Sequence, residues 1–110
     1  MKVIIHDKNV KLSGADREYC EQKFLKLEKY VNAEPTIAEA HFESQRGLIM
    51  LHLTVTHPHE KIPDHFDEQG HGSREVVDLV KERAEEHLRR NQERGKSSRF
   101  RHFWRRIFKR

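Results

Sequence analysis

The stretch AEAHFESQRGLIMLHLTVT, residues 38–56, decides the fold. Its first half alternates, with Ala38, Ala40 and Phe42 on one side and Glu39, His41 and Glu43 on the other. Its second half alternates more strongly through Ile49, Leu51, Leu53 and Val55. A period of two puts these apolar side chains on one face of a sheet. The Gln45-Arg46-Gly47 step between the halves supplies the turn, so the two strands form a hairpin.

Working outward, KVIIH at residues 2–6 reads as a strand, and KNVKLSGAD after it supplies a turn and a helix start with Ser13 as the cap. From Ala15 to Val31 the pattern is helical, since Cys20, Phe24, Leu27 and Val31 fall on one stripe, and Asn32 with the Glu34-Pro35 step ends it. After the hairpin, KIPDHFDEQ at residues 61–69 is a fourth strand. Pro63 cannot donate to a ladder, which places this strand at the sheet edge or makes it irregular. A second helix is predicted from Ser73 to about Asn91, burying Val76, Val77, Val80, Ala84 and Leu88. The order βαβββα predicts an α+β fold, one four-stranded sheet with both helices packed on the same face. QERGKSS, residues 92–98, marks the end of the domain, giving a folded unit over 1–95 and a basic aromatic tail over 96–110.

The chain has 22 Lys and Arg against 18 Asp and Glu, a formal net charge of +4. Seven of the cations, and no acid, lie between Lys96 and Arg110, so the remaining body carries a net −3. The basicity belongs to the tail, and polyanion binding by the folded part has to rest on how its charges are placed. With 35% apolar and 36% charged residues, a modest core is expected and a large enclosed substrate cavity is not. No window approaches the roughly 20 apolar residues of a membrane span. The N-terminus lacks the long apolar centre of a secretory signal, and the single cysteine, Cys20, cannot build an internal disulfide framework. Both features point to the cytoplasm.

Nothing assembles into catalytic machinery. Cys20 lies on the inward face of its helix, where a thiol is a small inert hydrophobe. Gly70-His71-Gly72 has neither the lysine nor the preceding apolar strand of a phosphate loop. No enzyme activity is expected. Nine histidines invite a metal, and His57, His59, His65 and His71 crowd one region with Asp64 and Asp67. His57 and His59 are the only compact pair, no cysteine joins them, and these side chains read as solvent-facing. No metal and no cofactor is assigned. His41 and His52 read as neighbours on the open face of the sheet.

On the first helix Tyr19, Lys23, Lys26 and Tyr30 form a stripe with spacings of 4, 3 and 4, flanked by Lys29. On the second, Arg83, Arg90 and Arg94 line up, with Arg89 on another side. Rows of long cations reach phosphate oxygens, and tyrosines stack on bases or pack against ribose. The same rows also read as ordinary solvated surface laced by Glu18, Glu21, Glu28, Glu82, Glu85 and Glu86. Both readings stand on the arrangement alone.

The tail ends FRHFWRRIFKR, residues 100–110. Its five apolar residues occupy less than half of a helical wheel and face away from Arg101, Arg105, Lys109 and His102. A segment disordered in the free protein and helical on contact is expected. On RNA, Lys96, Arg99, Arg101, Arg105, Arg106, Lys109 and Arg110 would meet phosphates and Trp104 or Phe103 would meet exposed bases. Its own domain and a membrane surface are the other partners, although eleven residues give only marginal anchoring.

The opening MKVIIHDKNVKLSGADREYCEQKFLKLEKYV, residues 1–31, resembles the start of the ribosome hibernation promoting factor and ribosome-associated inhibitor family, the sigma-54 modulation protein-like proteins. The likeness lies in the short strand, the asparagine-containing turn, the charged helix start at Asp16 to Glu18 and the KFLKLEKY run at Lys23 to Tyr30. The resemblance implies a βαβββα domain that binds the 30S subunit and its 16S rRNA in the channel used by mRNA and tRNA, silencing translation in starved cells. It implies contacts through Lys23, Lys26, Lys29, Arg83, Arg89, Arg90 and Arg94, a monomeric free domain and no small-molecule substrate. The chain would be a divergent short member without the carboxy-terminal dimerisation domain of longer ones. His71, Gly72 and Ser73, then Val76 to Asp78, stand where the family has an acid, an aromatic and an isoleucine-aspartate step. A different class is the alternative: a small adaptor that binds another protein through its open sheet or histidine-rich edge, with or without a histidine-bound metal.

Overall fold

The structure, a computed structural model, describes residues 1–31, 36–58 and 62–108, with side chains described as far as Asn91 in the last helix. Strand β1 spans Lys2–Lys8, helix α1 Gly14–Leu25, strands β2, β3 and β4 Ile37–Gln45, Leu48–Thr56 and Asp64–Gly70, and helix α2 Ser73–Phe108. The sheet order is β1-β2-β3-β4. β1 runs parallel to β2, and the β2-β3 and β3-β4 pairs are antiparallel. The α+β architecture is the predicted one, with both helices on one face.

The hairpin closes as its sequence requires. Gln45 pairs with Leu48, leaving Arg46 and Gly47 as a two-residue turn with φ of 53° and 79°. Positive φ at both central positions is the type I′ turn, whose twist matches that of the flanking strands. Glycine adopts it freely, whereas Arg46 is held in a conformation that costs a side-chain-bearing residue about 1–2 kcal/mol.

Alternation then builds the core. Ala38, Ala40, Phe42, Leu51, Leu53, Val55 and Phe66 face the helices, and Cys20, Phe24, Leu27, Val76, Val77, Val80, Ala84 and Leu88 come down on them. Every residue predicted to be buried on α2 is buried, and a fully buried Val, Leu or Phe contributes about 1.5–3 kcal/mol. Ser13 caps α1, its hydroxyl accepting from the Asp16 backbone N–H at 3.0 Å. Pro63 directly precedes β4, which is indeed an edge strand but starts at Asp64 rather than Lys61.

Two helix ends differ from expectation. α1 stops at Leu25, and a 3-10 helix over Lys26–Tyr30 follows, with Val31 already extended at φ −129°, ψ 161°. The tighter winding sinks Leu27 completely into the core. Asn32, Glu34 and Pro35, expected to end this helix, lie outside the described residues. α2 does not end near Asn91 but continues to Phe108, 36 residues in all. At 1.5 Å per residue this is about 54 Å of helix. Residues 92–98 contain no proline, and one glycine costs a helix only about 1 kcal/mol, too little to force a break. The tail is thus a continuation of α2 rather than a disordered extension.

Candidate nucleic-acid interface

α1 and its 3-10 extension lie beside α2, and two tyrosines pin them together. The Tyr19 hydroxyl donates to Asp78 Oδ1 at 2.7 Å and the Tyr30 hydroxyl to Glu85 Oε1 at 2.8 Å. Cations lie over both rings. Lys23 and Arg74 approach the Tyr19 ring at 5.4 and 5.0 Å, and Lys29 approaches Tyr30 at 5.0 Å. Arg74 also donates to Asp16 at 3.0 Å, tying the start of α2 to the start of α1.

Charge alternates along the edge of α2 that faces α1. Arg74, Asp78, Lys81, Glu85 and Arg89 recur at helical spacing of 4, 3, 4 and 4. Lys81 pairs with Glu85, and Lys23 reaches Asp78 at 3.7 Å. These pairs set the local ionisation. The Arg74 guanidinium holds the Asp16 carboxyl below its usual range, and Lys81, then Tyr30, do the same for Glu85. The hydrogen bond to Asp78 pushes the Tyr19 phenol up. The groove between the helices is lined by Lys23, Lys81 and Arg89 against Asp78, Glu82, Glu85 and Glu86. Three cations facing four carboxylates make its floor a poor phosphate cradle by itself.

The predicted cations divide accordingly. Lys26 and Lys29 are exposed, Lys23 is half-buried beside them, and Lys23 and Arg89 both line the groove. Eclipsing of residues i and i+3 in a 3-10 helix puts Lys26 and Lys29 on one side, with Leu27 and Tyr30 on another. Arg83 does not join them. It turns to β4, donating to the Asp67 carbonyl at 3.0 Å and to Glu68 at 2.8 Å. Arg90 pairs with Glu86 one turn back, at 2.6 Å. The side chains of Arg94, Lys96, Arg99, Arg101, Trp104, Arg105 and Arg106, and the whole of Lys109 and Arg110, lie outside what is described. Arg74 and Lys81 were missed by the sequence reading. The 4-3-4-4 row of alternating charge is the signal in the sequence that marks them.

The histidines fall into pairs. His41 stands opposite His52 in the β2-β3 register, as predicted for the open face, and His52 pairs with Asp67. Asp64 accepts from His57 at 2.9 Å and from His87 at 3.2 Å, while His65 meets the Thr54 hydroxyl at 3.2 Å. His59 lies outside the described residues, and His71 is exposed.

Cys20 is fully buried, and burial, reinforced by the neighbouring Glu21 charge, pushes its thiol up to about 12. A thiol reagent at pH 8 should therefore leave the native protein unlabelled and modify one thiol after denaturation. Fast labelling of the native protein would contradict the packing of α1. Among the described residues, no helix is long and apolar enough to cross a membrane.

A mixed four-stranded sheet with two helices on one face defines a small α+β module. The chain belongs to the Sigma 54 modulation protein / S30EA ribosomal protein family, which matches residues 3–96. The resemblance read from residues 1–31 thus extends over almost the whole folded part. Membership points to a ribosome-associated role. The fold is shared with the crystal structure of the N-terminal domain of Protein Y from Thermus thermophilus, at a TM-score of 0.71 and 19% identity over 82% of this chain and 98% of that one. A ribosomal subunit interface protein from Coxiella burnetii is similar, at a TM-score of 0.70 and 17% identity over 84% of this chain and 98% of that one. No curated protein sequence matches the chain.

Proposed function

We propose that the protein is a non-enzymatic translation inhibitor of the hibernation type, which lodges as a monomer in the mRNA and tRNA channel of the cytoplasmic 30S subunit and blocks it by occupancy. The family match over residues 3–96 carries this reading. The exposed Lys26 and Lys29 beside Lys23 support it chemically, because long cations on a fixed edge can each replace a counterion at a 16S rRNA phosphate. Tyr19 and Tyr30 act as supports that hold the α1 row against α2. Arg89 and Arg90 add cations from α2, Arg83 sits at the margin beside β4, and Arg94 with the tail cations supplies further phosphate contacts in this reading.

Co-sedimentation of the full chain with purified 30S and 70S particles tests the proposal. It should pellet with the particles at low salt and dissociate steeply as salt rises. Replacing Lys23, Lys26 and Lys29 together by Ala should lower the affinity on the order of tenfold to a hundredfold and flatten the log–log salt dependence by roughly 2–3 units. Replacing Lys8 and Lys11 should do much less. Protein that stays in the supernatant with both particles at low salt would overturn the function, and equal effects of the two lysine sets would overturn the assigned face.

A further inference from the structure

The face of the sheet that the helices leave uncovered carries a row of side chains that ribosome binding through the helices does not use. In the strand register His6 stands opposite His41, His41 opposite His52, and His52 opposite Asp67, so three histidines and a carboxylate cross all four strands. The row is densest at the β1-β2 end. The His6 and His41 imidazoles stack with centroids 4.4 Å apart and planes 11° from parallel. Glu39 precedes His41 by two residues and shares its face, with Oε2 3.4 Å from His41 Nε2. One donor atom from each of His6, Glu39 and His41 lies within 4.8 Å of the other two.

We propose that His6, Glu39 and His41 form a surface site for a divalent transition-metal ion, zinc in the first instance, with the remaining coordination positions open to solvent. The donor set selects the class of ion. Two imidazoles and one carboxylate suit zinc and its first-row neighbours, whereas calcium and magnesium favour oxygen donors throughout. The distances fit with small adjustments. Zinc bonds of about 2.0–2.1 Å in a tetrahedron set donor atoms roughly 3.3 Å apart, and the Glu39–His41 pair already has that spacing. Bringing His6 in requires a shift on the order of 1.5 Å from the outermost separation, within the rotamer freedom of an exposed side chain. The backbone beneath does not have to move. The parallel β1-β2 ladder fixes His6 against His41, and the strand period fixes Glu39 beside it.

The other histidine group is arranged differently. At Asp64 the two imidazoles, from His57 and His87, take different oxygens of one carboxylate. That carboxylate therefore stands between the two nitrogens rather than beside a common point, and these residues serve as the internal comparison.

The experiment is titration of zinc into untagged full-length protein by calorimetry, with cobalt as a spectroscopic substitute and long-range imidazole nitrogen NMR to identify the ligands. One equivalent should bind with a dissociation constant on the order of micromolar, as expected for three solvent-exposed ligands. His6→Ala, His41→Ala and the isosteric Glu39→Gln should each weaken binding at least about tenfold. His57→Ala and His87→Ala should leave it unchanged, and the melting of the metal-free protein should be the same for Glu39→Gln as for wild type. The His6 and His41 nitrogens should shift together. No stoichiometric zinc binding at about 100 μM, or binding that survives His41→Ala, or binding that is lost with His57→Ala instead, overturns the site. Because the site lies on the face opposite the helices, each of these results stands apart from the outcome of ribosome sedimentation.

Discussion

Replacing Phe24 by Ala is expected to lower the free energy of unfolding by about 3–5 kcal/mol, the range for truncating a fully buried aromatic ring. Phe24 is 0% exposed and sits on the α1 face that closes over the sheet, in one cluster with Leu27, Phe42 and Leu53. The loss has two parts, the transfer free energy of the ring and the contacts forfeited around the cavity it leaves. A single domain of this size has about 5–15 kcal/mol in total, so the variant should be partly unfolded at 37 °C, with a melting temperature on the order of 15–25 °C lower. Urea unfolding followed by circular dichroism is the measurement. A change below about 1 kcal/mol would mean that α1 does not pack on the sheet through this face.

That core was largely visible in the sequence, for a local reason. Residues 38–56 alternate with the period of a strand, Gly47 supplies a positive φ where the chain reverses, and Ser13 announces a helix start. Each of these signals acts within a few residues. The misses have longer-range causes. Lys26 to Tyr30 are all acceptable in an α-helix, and the switch to 3-10 winding goes with the complete burial of Leu27 and with the reach of Tyr30 to Glu85 on α2. The cation rows were placed by helical wheel, which fixes a side chain's angle but not its neighbour. Arg83 belongs to β4 because Glu68 and the Asp67 carbonyl are there, and only the packed sheet reveals that. The His6–Glu39–His41 group is the extreme case. His6 and His41 are 35 positions apart in the chain and meet through the register of a parallel pair connected across α1, which no local pattern reports.

Removing residues 99–110 is expected to be the most damaging change for ribosome binding. The first 95 residues carry a net −3, and four carboxylates line the helix groove, so the folded part has no excess of positive charge to hold a polyanion. From Lys96 to Arg110 there are seven cations and no acid, and truncation after Ser98 leaves only Lys96. If the six lost cations each neutralise one phosphate of an RNA strand, the log–log salt dependence of binding should flatten by roughly 4–5 units. The affinity near 0.1 M salt should then fall on the order of a hundredfold to ten-thousandfold. Losing Trp104 and three phenylalanines also removes stacking, worth about 1–3 kcal/mol per base engaged. The shortened chain should keep its fold, because the core residues among those described lie at or before Leu88, so its urea midpoint should match that of the full chain while its helical signal loses the last turns of α2. The two measurements separate the tail's three candidate partners. A lower midpoint would indicate docking on the chain's own domain, through the charge attraction between the +7 segment and the −3 body. Undiminished sedimentation with ribosomes, accompanied by lost binding to anionic vesicles, would assign the Trp and Phe face to a membrane surface. Weakened sedimentation with a shallower salt dependence and an unchanged midpoint assigns the continuation of α2 to ribosomal RNA.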